Sequence, residues 1–400
     1  MKKTTLLFLL LFLISLCSCG GEYAGDGVET LKPHIKDTAL ELELKEPLPP
    51  DVRLTFAGCG DNIAYNGTIR DAKKCAVAVE GGREYNFAPI YENVKSIIEG
   101  ADIAFINQET PMAGEDYGYD DYPYFNSPRD LAYDLIDAGF DVVNLATNHM
   151  LDAGSQGLLD TINFWNTLPV VTIGGYLNDE DFNNIRIIER EGIKIAFLSF
   201  TYSTNGLSLK KGFDIVIPYE DEEVIASQVM KAREIADLVF VSMHWGNEYN
   251  FKPSVNQKNL ASMMAGLGVD VIIGHHPHVL QPIEWVESPN GDGHKTLCVY
   301  SLGNFAAEQN NDYNMVGGII TFDIVRKDGE LSIERPILLP TVYYFNRSFY
   351  KNSVHLMENF TVDMAKSHGL IYYGKTTTVE KLRSYVTKTV APEFLPEFLK

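Results

Sequence analysis

The sequence predicts an α/β fold, and three observations point to it. After Pro50, short apolar runs alternate with amphipathic stretches in which apolar residues recur at helical spacing. The runs are nearly continuous in Val, Ile, Leu and Phe, as strands buried on both faces are. Most of them also end in polar residues, where open α/β sheets bind ligands.

Strands are predicted over 52–57, 103–106, 142–145, 195–200, 238–243, 269–273 and 297–301, and helices over 88–98, 129–138, 156–165, 221–235 and 255–267. Ser127 before Pro128 reads as a helix cap followed by proline at the first helical position. Residues 317–325 and 331–338 flank Asp328-Gly329 and predict a hairpin, so some antiparallel pairing enters the sheet.

The amino terminus carries a different message. Lys2 and Lys3 precede an apolar run over 6–16, too short to cross a bilayer and of the form of a secretory signal. Small Ser18 before Cys19 resembles a bacterial lipobox, so residues 1–18 are expected to be removed and Cys19 lipidated. Cys17 fits less well behind bulky Leu16. Residues 19–50 are polar and rich in Gly and Pro, the composition of a tether. The expected organisation is then one α/β domain over 51–340 and a segment over 341–400 that packs on it. Localisation follows: exported, lipid-anchored to a bacterial membrane, facing periplasm or exterior.

Lys and Arg number 33 against 54 Asp and Glu, a formal net charge of -21, which argues against nucleic acid as a partner. An anionic partner would need metal ions or a local basic focus, for which Lys210, Lys211 and Arg129 are candidates, though ordinary solvated charges have the same appearance. In an oxidising compartment, Cys59, Cys75 and Cys298 suggest one disulfide and one buried thiol, with Cys59 and Cys75 as the candidate pair. Three buried thiols are the alternative.

Chemistry concentrates at the predicted strand ends. The first strand leads into Gly60-Asp61-Asn62, the second into Asn107-Gln108-Glu109, and the third into Asn148-His149 and then Asp152. Later strands lead into His244-Trp245-Gly246, His275-His276-Pro277-His278 and Gly303-Asn304. Five of the nine histidines fall in these clusters, which scattered core or surface histidines would not do. Imidazoles mixed with carboxylates suit zinc, manganese or iron better than magnesium or calcium.

Taken in order, these motifs resemble those of the poly-gamma-glutamate capsule synthesis (CapA-type) family, itself similar to calcineurin-like metallophosphoesterases. The resemblance implies a four-layer α/β/β/α sandwich with mixed sheets and two divalent transition metals. Asp61 and His278 would hold one, Asn148, His244 and His276 the other, with Glu109 at the bridging position. His149 would be the proton donor, oriented by Asp152, and Asn62, Asn107, His275 and Asn304 would support the ligands. Ile63 departs from the phosphoesterase pattern by standing where a histidine is usual, as does Glu109 by replacing an aspartate. A weaker Asp61/His278 site is therefore expected.

The resemblance further implies work on an anionic surface polymer or a phosphoester, beside membrane partners of capsule synthesis. Three classes of function fit the residues: a metal-dependent hydrolase, a noncatalytic polymer-binding or assembly subunit on the same scaffold, and, distantly, a glycosidase using Glu109 and Glu248. The tyrosines at 117, 119, 122 and 124, with Phe125, lie in a loop expected either to wall the substrate cleft or to be pinned by packing.

Overall fold

The computed structural model describes residues 49–76 and 82–400. The predicted signal peptide, Cys19 and nearly all of the tether lie outside them.

Fourteen strands are found among the described residues. In chain order they are β1 (Val52–Ile63), β2 (Ile103–Gln108), β3 (Val142–Asn144), β4 (Val171–Ile173), β5 (Arg186–Arg190), β6 (Ile193–Thr201) and β7 (Leu238–His244), then β8 (Val271–His275), β9 (Ile283–Glu287), β10 (Lys295–Val299), β11 (Asn304–Ala307), β12 (Val316–Lys327), β13 (Glu330–Tyr344) and β14 (Ser353–Leu356). They form two mixed sheets. One runs β14-β13-β12-β1-β2-β3-β4 with β11 also beside β1; the other runs β5-β6-β7-β8-β10-β9. Parallel pairing dominates where the predicted ligands sit, between β11, β1, β2, β3 and β4 in the first sheet and β6, β7, β8 and β10 in the second.

The sheets meet face to face through aromatic side chains. Phe56 on β1 and Phe322 on β12 stack at 4.6 Å, and Phe240 on β7 meets both, edge-on to Phe56 at 5.5 Å. Strand alternation then fixes which side chains face outward. Val239, Val241 and Met243 pack with Ile225, Val229, Leu260 and Met264 of the helices Glu222–Ile235 and Val255–Gly266. Phe240, and with it Ser242 and His244 at the same phase, face the other sheet. The helices Asp130–Asp137 and Gly154–Trp165 connect parallel strands of the first sheet and bury Leu131, Leu135 and Trp165 in the main core. The result is a four-layer α/β/β/α sandwich. Each fully buried Phe contributes roughly 1.5–3 kcal/mol.

Several local expectations are corrected. Residues 88–98 form two short helices, Ala88–Tyr91 and Lys95–Glu99. Ser127 caps no helix: the next one begins at Asp130, and the Ser127 hydroxyl pairs with that of Thr110 at 2.7 Å. Cys59, Cys75 and Cys298 are all free thiols. Cys59 is sealed in the core on β1, whereas Cys75 is part-exposed near the end of helix Asn66–Ala76, so the two belong to different environments. That helix escapes sequence reading because Arg70, Asp71, Lys73 and Lys74 mask its apolar face. Beyond residue 340, Leu370, Leu382, Val386 and Phe394 are buried in the same cluster as β1 and β2.

Candidate metal centre

The sheet register lines up the candidate residues. Across the first sheet Asn304, Asp61, Asn107 and Asn144 are successive partners; across the second, His244 pairs with His275. Each sheet thus presents a polar row at the carboxyl ends of its parallel strands, and the face-to-face packing turns the rows toward one another. Close approach at these ends depends on glycine. A Cβ at Gly60 would lie 2.0 Å from the Gly303 carbonyl oxygen, and one at Gly274 would lie 2.0 Å from that of Tyr300.

Asp61 is held by the Asn107 amide, which donates to Oδ1 at 2.9 Å. Behind it, Asn144 Nδ2 donates to Asn107 Oδ1 at 2.7 Å, and the Ser199 hydroxyl on β6 donates to Asn144 Oδ1. This buried chain runs from one sheet to the other and fixes the carboxylate. On its far side, His278 Nδ1 lies 3.1 Å from Asp61 Oδ2 and 3.0 Å from Asn304 Oδ1. His278 Nε2 points to Glu109, 3.6 Å from Oε1. That same oxygen is 3.9 Å from His244 Nε2, and His244 Nε2 is 2.8 Å from Asn148 Oδ1. Glu109 therefore stands between two ligand groups. The His276 ring bridges them from above, 5.0 Å from His244 and 5.9 Å from His278 between centroids.

His276 and His278 both have positive φ, 94° and 55°. Residues other than glycine rarely adopt this backbone, at a cost of about 1–3 kcal/mol each. The turn is held by neighbours: the Tyr249 N–H donates to Pro277 O at 2.7 Å, and Asn314 Nδ2 donates to His278 O at 3.0 Å.

The donor set fits divalent metal ions. Both Glu109 oxygens are buried without a hydrogen-bond partner, as are Nδ1 of His244 and Nδ1 of His276. Leaving a buried carboxylate unpaired is costly, and a cation between these groups removes the cost. Asp61, Glu109 and His278 bring ligand atoms within 4.8 Å of one another.

Residues 55–309 match the family described as bacterial capsule synthesis protein PGA_cap. The chain belongs to this family. It is 36% identical over 225 residues to the PGA biosynthesis protein CapA of Bacillus subtilis, covering 55% of this chain and 57% of that protein. It is 33% identical over 230 residues to the capsule biosynthesis protein CapA of Bacillus anthracis, covering 55% and 54%. The matches thus span little more than half the length of these relatives. Among solved structures, the calcineurin-like phosphoesterase YfkN from Bacillus subtilis is 14% identical, covering 85% of this chain and 97% of that one, with a TM-score of 0.44.

In this PGA_cap chain the electrostatics are uneven. Burial pushes the Glu109 carboxyl well above its usual range; Asp61, Glu248 and Asp152 add repulsion that His278 only partly offsets. Burial also works against the Asp61 charge, but His275 and His278 outweigh it and hold this acid well below the usual range. His278 is pulled down by burial yet pushed up to about 9 by Glu109 and Asp61. His244 is depressed by burial and by His276, and His276 falls to about 3 through burial and His278. His244 and His276 are thus neutral, the form that binds metal. The proton on His278 is one that a cation would displace.

His149 sits to one side, its Nδ1 2.7 Å from Asp152 Oδ2, which also accepts the Phe125 N–H at 2.9 Å. The Phe125 ring meets the imidazole edge-on at 4.8 Å. The aromatic loop thus divides its roles: Phe125 braces His149, the Tyr117 hydroxyl ties to Asp160, and Tyr122 lines a cavity of about 320 Å³ with Tyr65, Tyr249, Glu308 and Gln309. The Tyr249 ring is 6.1 Å from His278, which places this cavity beside the histidines. A larger cavity of about 790 Å³, lined by Thr55, Ile97, Trp285 and Arg335, opens toward the amino ends of β1 and β2 and contains none of the candidate residues.

Of the supporting residues, Asn107 hydrogen-bonds Asp61 and Asn304 hydrogen-bonds His278. His275 lies 3.4 Å from Asp61 Oδ1 and stacks on Phe105. The Asn62 side chain donates to Gln108 and accepts from the Tyr91 hydroxyl, while its backbone carbonyl accepts the Glu109 N–H at 3.1 Å. Arg129 is a correction. Its guanidinium is spent on the carbonyls of Met112 and Ala113 and stacks over Phe164, which leaves Lys210 and Lys211 as exposed charges. Tyr202, whose ring lies 4.5 Å from His276, escaped sequence reading. The signal was there, since it directly follows β6 as the ligands follow their strands.

Proposed function

We propose that this chain is a metal-dependent hydrolase of the bacterial cell surface, anchored through a lipid on Cys19. Its substrate would be a phosphoester or a linkage in an anionic capsule polymer of the poly-gamma-glutamate type. The observation that carries the proposal is the buried convergence of Asp61, Glu109, Asn148, His244, His276 and His278, with Glu109 unpaired between two nitrogen-bearing groups. Asp61, His278 and Glu109 would hold one divalent cation, and Asn148, His244, His276 and Glu109 a second. Bound cations of this kind supply Lewis acidity and bring the pKa of water toward neutrality.

The protein's own residues supply the remainder. Asp152 fixes His149 Nδ1, leaving Nε2 to exchange a proton with a leaving group. The Asn107–Asn144–Ser199 chain keeps Asp61 from rotating. Tyr65, Tyr249 and Gln309 line the adjoining cavity where the substrate would extend. In a protein of net charge -21, a positive focus at the site reconciles the chain with an anionic substrate.

The test is elemental analysis of the purified full-length chain, paired with phosphodiester and polymer hydrolysis with and without added manganese or zinc. Two equivalents of metal and metal-dependent turnover are expected. One equivalent of metal or none, without turnover on any substrate, would replace the hydrolase with a noncatalytic assembly role.

A further inference from the structure

We propose that Glu248 is a third carboxylate ligand of the metal centre, closing it from the solvent side together with His276 and His278. The inference rests on the metal-dependent reading above and adds a ligand to it. Glu248, His276 and His278 each bring a ligand atom within 4.8 Å of the others, the same closeness that unites Asp61, Glu109 and His278. His278 belongs to both groups. Its Nδ1 is engaged by Asp61 and Asn304 and its Nε2 faces Glu109, so the Glu248 carboxylate approaches an imidazole already committed to the centre. His276, nine-tenths or more buried, keeps an unpartnered Nδ1.

The backbone shows why Glu248 is placed there. β7 ends at His244, and Gly246 at φ +88° turns the chain back over the histidine turn. Tyr249, itself at φ +61°, donates its N–H to Pro277 O at 2.7 Å, and Gln281 Nε2 donates to Asn250 O at 2.7 Å. Two hydrogen bonds thus stitch the 246–250 turn onto the segment carrying His276 and His278. Glu248 directly precedes the two stitched residues. It is exposed, and its carboxylate lies close enough to the neighbouring Tyr249 hydroxyl to raise the pKa of that phenol. From the opposite side β1 offers nothing further, because Ile63 is buried against Phe125 and Ala307.

A carboxylate of this kind completes a nitrogen and oxygen donor set suited to zinc, manganese or iron. Being exposed, it can leave when an anionic group arrives, whereas Asp61 and Glu109 are sealed in.

Isothermal titration and equilibrium dialysis of the full-length chain with manganese or zinc would test this, comparing the native protein with Glu248→Gln and Glu248→Asp. The Gln variant is expected to weaken one of two equivalents by at least roughly 10- to 100-fold, the scale on which metal sites respond to loss of a group that merely supports a ligand. The second equivalent should be unchanged and the Asp variant intermediate. Metal-free unfolding curves of all three should coincide, because an exposed side chain contributes little to the fold. Native binding of two equivalents with Glu248→Gln indistinguishable from it would overturn the role of Glu248 and leave the centre standing. Native protein that binds no metal would overturn both.

Discussion

His244 Nε2 lies 2.8 Å from Asn148 Oδ1, although His244 ends a strand of one sheet and Asn148 follows a strand of the other. A cation held by this pair would join the two sheets at their open edge, so metal should act on stability as well as chemistry. At a metal concentration 100 times its Kd, the gain is about 2.7 kcal/mol. Urea unfolding with added manganese and with EDTA should show it. Asn148→Ala should remove most of the difference, and identical native curves with and without metal would argue against a cation at this junction.

His149 and Asp152 test the chemistry separately from binding. His149→Ala is expected to lower turnover on a verified substrate by roughly 10²- to 10⁴-fold, the usual contribution of a positioned acid or base. Metal content should stay at the native value, because neither residue belongs to the groups around Glu109. Asp152→Asn should lose part of the same factor, since an amide no longer holds the imidazole in one tautomer. Unchanged turnover in the His149 variant would take that residue out of the mechanism.

The sequence revealed the strands that carry the site more readily than the contacts behind them. Long apolar runs such as those in β6 and β7 need no context to be recognised, and the candidate ligands sit at or just after strand ends in order. The short strands β4, β9 and β11 carry too few residues for a period to emerge. Asn62 and Asn107 looked equivalent as neighbours of candidate ligands. Only the paired register separates them, giving Asn107 to Asp61 and Asn62 to Gln108 and Tyr91. Glu248 reaches the histidines only through tertiary folding, whereas Tyr202 could have been found from its place directly after β6. Cys59 and Cys75 misled because cysteine arithmetic counts thiols without their burial.

Gly60 offers a backbone test of how the site is assembled. A methyl group there would lie 2.0 Å from the Gly303 carbonyl oxygen, and the Asp61 N–H is bonded to that same carbonyl at 3.0 Å. Backbone on both sides has little room to yield, so Gly60→Ala should cost about 1–3 kcal/mol, as overpacking generally does. The displacement would fall on Asp61, and metal affinity should drop along with stability. Denaturant unfolding and metal titration measure the two effects, and a fully native titration would show that the strand end tolerates movement.

His368 gives a prediction about pH that is independent of the metal centre. It is buried, its Nε2–H donates to Tyr343 O at 3.0 Å, and its Nδ1 accepts the Leu370 N–H at 3.2 Å. Both nitrogens are therefore used in the neutral form, and a proton on Nδ1 would break the second bond. Burial lowers its pKa from 6.5 to about 4, against smaller upward effects of the Tyr343 carbonyl and Asp312. As pH falls below 6.5 the unfolded chain takes up the proton and the folded chain does not, so stability is lost until about pH 4, where the folded form is protonated too. The full span corresponds to about 3 kcal/mol. His368→Gln keeps a donor and an acceptor but does not titrate. Urea unfolding at pH 7.5, 6 and 5 should therefore show the native protein losing stability relative to the variant as the pH drops. Parallel curves for the two would mean that His368 is not the group responsible.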